Sequence, residues 1–143
     1  MRAGVKAALF VLLALLATVS LTRAMWVDIP LEDLLADSDY VVVASLADVK
    51  EWSNDKTDFG KGVLTVSEVL SKQQPKVRTL TLLWQNPTGM ICPRVVHEES
   101  GGAQFLWLLK RQKNGAVTAS HPSRVLPLSE RANVEKALQA LRR

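Results

Sequence analysis

Cysteine is nearly absent from this chain. Its 143 residues hold one, Cys92, together with two histidines and a single tyrosine. A lone cysteine excludes an internal disulfide framework, so the apolar core must carry the fold. It also leaves the paired Cys and His ligands of structural zinc motifs without members. No Asn-x-Ser/Thr acceptor is usable, because Asn86-Pro87-Thr88 has proline in the middle position. Gly60-Lys61-Gly62 lacks the spacing of a phosphate-binding loop and the helix that follows one. The chain shows no internal repeat and no low-complexity linker.

Long apolar stretches are confined to the start. Arg2 and Lys6 precede an uncharged run from Ala7 to Val19, dominated by Leu and Ala. Thr22-Arg23-Ala24 puts small side chains three and one residues before a cut, the layout of a secretory signal peptide over residues 1–24. A cut after Ser20 competes with one after Ala24. The alternative is an uncleaved membrane anchor, but the run is shorter than the roughly 20 residues that span a bilayer. No cysteine lies near either cut, which excludes a lipid-modified bacterial lipoprotein. The expectation is export to the periplasm or the medium, with residues 25–143 forming one domain.

Net positive charge is small once the leader is set aside. The whole chain carries +4, but residues 1–24 supply three bases and no acid. Residues 25–143 keep 15 bases and 14 acids, a net of +1. A nucleic-acid partner is therefore not expected. Residues 25–58 hold nine acids and two bases, and residues 59–143 hold thirteen bases and five acids. Two such halves are expected to fold against each other and partly neutralise.

The remaining pattern is mainly β. Asp28 to Leu35 reads as a short helix, capped near Asp28, with Leu31, Leu34 and Leu35 on one face. Tyr40–Trp52 reads as a first strand, because Val41-Val42-Val43 is β-branched. Ser53–Gly62 reads as a turn. Val63–Leu70, Val77–Trp84, Ala103–Lys110 and Ala116–Ser120 complete five strands, with a long irregular segment from Gln85 to Gly102. Asn114-Gly115 marks a tight hairpin, and His121–Leu128 reads as loop. Ser129 opens a last helix whose stripe is Val134, Ala137, Leu138 and Leu141.

Helix, five strands, helix is the order of a small closed sheet covered by terminal helices. The stretches Leu34–Ala44, Leu64–Lys72 and Phe105–Leu109 resemble the netrin-like, tissue-inhibitor-of-metalloproteinase-like domains, in their small secreted bacterial form. The resemblance implies a five-stranded antiparallel OB-type barrel with a short N-terminal and a longer C-terminal helix. Animal inhibitors of this fold chelate a protease zinc through an amino-terminal cysteine. Neither cut exposes a cysteine here, so that mechanism is not carried over.

Candidate chemistry is concentrated between Trp84 and Glu99. Cys92 with His97 or His121 lacks a nucleophile motif, and Cys92, His97, Glu98 and Glu99 lack zinc spacing. Neither a catalytic group nor a metal or cofactor site is therefore assigned. Among Trp52, Trp84 and Trp107, the last is expected in the core, and Trp84 is the best ligand-facing aromatic. Trp84, Asn86, Cys92 and His97 form the expected partner-binding set. The function expected is a non-enzymatic binding module of the cell envelope, with another envelope or secreted protein as partner. The alternatives are the same module tethered to the membrane by its leader, and, distantly, a Cys/His-dependent enzyme or metal-binding protein.

Overall fold

Val41-Val42-Val43 and Phe105–Leu109 are uninterrupted apolar runs, and in the computed structural model they lie side by side in paired strands. The structure describes residues 26–90 and 93–143. The expected leader and Cys92 lie outside them. The elements are α1 (Leu31–Ala36), β1 (Tyr40–Ser53), β2 (Thr57–Val69), β3 (Thr79–Pro87), β4 (Phe105–Arg111), β5 (Val117–Thr118), β6 (Val125–Leu126) and α2 (Arg131–Leu141). Short 3₁₀ turns cover Pro122–Arg124 and Leu128–Glu130. No helix among the described residues is long and apolar enough to cross a membrane.

The six strands form one mixed sheet. β1 pairs with both β2 and β4, and β3 pairs with β5, so five strands close a ring in the order β1-β2-β3-β5-β4. The expected all-antiparallel arrangement fails at one contact. Leu82 of β3 and Val117 of β5 pair in parallel. The reason is counting: strand directions cannot alternate around a ring with an odd number of members. The sixth strand, β6, joins β4 through Leu106–Leu126 and Trp107–Val125, inside a segment the sequence reads as loop.

The two apolar runs are continuous because their strands are buried on both faces. Tyr40, Val42, Ala44 and Leu46 join Leu64, Leu82, Trp107 and Leu109 inside the ring. Val41 and Val43 join Leu106 and Leu108 on the outside, under Leu34 and Leu35 of α1 and Val134 and Ala137 of α2. Leu138 packs against this outer cluster, but Leu141 stays 48% exposed and leaves the expected stripe. Neither expected side-chain cap forms. Pro30 occupies the N-cap of α1, and α2 begins at Arg131 behind the 3₁₀ turn that contains Ser129.

The largest boundary error in the sequence reading is at β2. The turn is only Asn54 to Lys56, closed by the Asn54 side-chain oxygen, which accepts from Lys56 N at 2.8 Å and Thr57 N at 2.7 Å. Gly60 and Gly62 are strand residues. Each is glycine because a neighbour occupies the space of its Cβ. A Cβ on Gly60 would stand 1.9 Å from Trp84 Cε2, and one on Gly62 would stand 2.6 Å from Leu46 Cδ1. Opposite Gly62, Asp48 and Val49 bulge out of β1, with Asp48 at φ 54°.

Candidate functional site

The β1–β2 hairpin carries an aromatic pair to one end of the ring. Trp52 and Phe59 face each other across the ladder. Their rings stack with centroids 5.6 Å apart and planes 15° from parallel. Trp52 is 49% exposed, which is high for so large an apolar side chain. The neighbouring β2 residue, Gly60, stands opposite Trp84 in β3, and the Trp84 indole packs close against it.

Behind this surface lies a packed aromatic triad. His97 stands edge-on to Trp84, with centroids at 5.0 Å and an 85° angle, and tilts against Trp107 at 5.4 Å. His97 Nε2 donates to the Ala119 carbonyl oxygen at 3.1 Å. Burial holds the imidazole pKa below its ordinary value, opposed by that backbone bond. The sequence puts His97 in the expected partner-binding set, a role that needs an accessible ring. The structure buries it, because a segment without regular structure covers the end of the ring.

That segment, residues 93–104, is held by side chains instead of a ladder. Asn86 Nδ2 donates to the Val95 carbonyl at 2.7 Å, and Val95 N donates to Asn86 Oδ1 at 2.8 Å. One amide thus acts as a strand partner. Arg94 pairs with Asp58 at 2.8 Å. The Ser53 hydroxyl first, and then Arg94, hold the Asp58 carboxyl below the usual carboxylate range. Glu99 Oε1 accepts from Val49 N at 3.0 Å, and Ser100 exchanges bonds with the Leu46 backbone. These partners occupy groups that the sequence offered as chemistry. Among the described residues, no three His, Cys, Asp or Glu side chains converge as metal ligands.

His121 is also engaged. Its Nδ1 accepts from Ser123 N at 3.1 Å, and its Nε2 donates to the Val27 carbonyl at 2.9 Å. Trp26 stands edge-on to its ring at 5.1 Å.

Three of the four residues singled out from sequence therefore meet at one end of the ring. Trp84, Asn86 and His97 are all nearly buried there, and they position the end of the ring. Cys92 lies outside the described residues. The exposed group is Trp52, which sequence reasoning ranked behind Trp84. The signal for it was an aromatic on each side of the Asn54 turn.

Two clefts share the Trp52–Phe59 wall. One, about 370 Å³, is also lined by Trp84, Gln85, Gln112, Thr118 and Ser120. The other, about 160 Å³, contains Glu51, Asp58 and Arg94. No protein-family model matches the chain, and no curated protein is significantly similar to it.

Proposed function

We propose that residues 25–143 are an exported, non-enzymatic binding module built as a netrin-like, OB-type barrel. The module holds another envelope or secreted macromolecule in the larger cleft beside Trp52. The observation that carries this reading is the half-exposed Trp52, stacked on Phe59 at the mouth of a cleft of ligand size. Five-strand ring closure and two covering helices support the barrel assignment. The engagement of both imidazoles by backbone groups supports a binding role over acid–base work. The basic start and apolar run of residues 1–24 support export.

Two measurements test the reading. Intact mass of the exported protein should place its first residue at Leu21 or Met25, whereas retention of residues 1–24 in the membrane fraction would favour the tethered form. A photo-crosslinker in place of Trp52 should trap a discrete adduct in the exported compartment. The same group at Leu141, exposed on the far helix, should not. Equal labelling from both positions would sink the cleft as the contact site.

A further inference from the structure

We propose that the larger cleft beside Trp52 takes a short neutral oligosaccharide. The inference rests on the binding-module reading and narrows its ligand. The cleft volume, about 370 Å³, falls in the range of small-ligand sites, about 300–1,000 Å³. Part of its wall is the Trp52–Phe59 pair, held by near-parallel stacking of the two rings. An aromatic face is electron-rich, and the C–H edges of a pyranose ring pack against such a face.

The rest of the lining decides the class. Gln85, Gln112, Thr118 and Ser120 each offer both a donor and an acceptor, as a sugar hydroxyl does. Every residue lining this cleft is uncharged, in a chain with 22% charged residues. A carboxylate, phosphate or ammonium ligand would be desolvated there with no opposite charge to meet it. The charged residues Asp58 and Arg94 line the smaller cleft instead, where they pair with each other. A nucleic acid would need Lys or Arg along the cleft for its phosphates, and the lining has neither.

Calorimetric titration of the exported protein with neutral hexasaccharides of glucose, mannose and N-acetylglucosamine tests this. At least one should bind saturably and shift tryptophan fluorescence. Trp52→Ala should weaken that binding at least tenfold, as should Gln112→Ala, which leaves the aromatic stack intact. Leu141→Ser should leave it unchanged. Absence of binding across the series, indifference to both cleft variants, or tighter binding of a uronic-acid hexasaccharide would each overturn the proposal. If no sugar binds but a crosslinker at position 52 traps a protein, the ligand class falls and the binding module stands. If both experiments are blank, both readings fall.

Discussion

Arg124 reaches back 87 residues to pair with Asp37 at 2.6 Å, from a position only 6% exposed. The same guanidinium donates to Ser38 Oγ at 3.0 Å and to the Leu108 carbonyl at 3.2 Å. It therefore ties the end of α1 to β4 and to the 3₁₀ turn before β6. Asp37 also takes Lys110 at 2.6 Å, and Asp58 takes Arg94. The acidic first part of the domain and its basic remainder thus meet in specific pairs. That local pairing accounts for part of the charge imbalance without invoking an anionic partner.

Arg124→Ala should destabilise the domain by about 2–3 kcal/mol, because it strips three bonds from a buried position. Arg124→Lys should recover little, since an ammonium lacks the planar fork that reaches several acceptors. Urea midpoints measure both. Full recovery by lysine would show that charge alone matters at this site.

Acid should weaken these ties. The Lys110 hydrogen bond first, with Arg124 behind it, holds the Asp37 carboxyl below its ordinary range, and Arg131 does the same for Glu68. A carboxyl whose pKa is depressed by folding contributes stability above its unfolded pKa and loses it as pH falls through the folded one. Stability should therefore decline below about pH 4, the ordinary carboxylate value. Asp37→Asn should start lower at neutral pH and decline less steeply. Parallel curves would remove Asp37 from the account.

His97 adds a separate window at higher pH. Its pKa is lowered by folding, so the neutral ring contributes fully above the ordinary value near 6.5 and less as pH falls towards the folded pKa. His97→Gln keeps an N–H for the Ala119 carbonyl but does not titrate. Between about pH 7.5 and 5, wild-type urea midpoints should fall while those of the variant stay flat. A flat wild-type curve would mean that the ring is reached by water.

Gly60→Ala should cost about 2–3 kcal/mol, because the new methyl overlaps the Trp84 indole. Trp84→Leu alone leaves a void. The double variant should be less destabilised than the sum of the two single changes, by about 1 kcal/mol or more. Strict additivity in a double-mutant cycle would contradict the contact. Gly62→Ala should be milder, since it meets the end of a flexible Leu46 side chain.

The docking of α2 is tested by position. Val134 is fully buried in the outer cluster, whereas Gln139 is exposed. Val134→Asp should cost more than about 3 kcal/mol, through lost packing and a buried charge. Gln139→Asp should cost under about 0.5. Leu138→Asp should fall between them, because Leu138 is half-buried. Similar midpoints for all three would detach the helix from the sheet.

Much of this fold was legible in the chain because its period was clean. Tyr40–Trp52 and the strand around Leu80, Leu82 and Trp84 follow from β-branched runs and strict alternation. Asn114-Gly115 makes the expected turn, with Gly115 at φ 85°. Other features carry no local signal. Glycine reads as a turn unless one knows that Trp84 and Leu46 lie opposite it. Asn86 reads as a loop residue unless one knows that Val95 runs alongside.

By itself, the sequence determined most of the extended segments and the approximate place of both helices, but neither β6 nor the first half of β2. These properties depend on neighbours a few residues apart, and side-chain period expresses them directly. The tertiary structure decided the ring closure, its one parallel contact and the burial of His97. It also left Trp52, and not Trp84, facing solvent. Those outcomes depend on which distant residues compete for the same space, such as Trp84 for the place of a Gly60 side chain. A linear pattern does not record that competition.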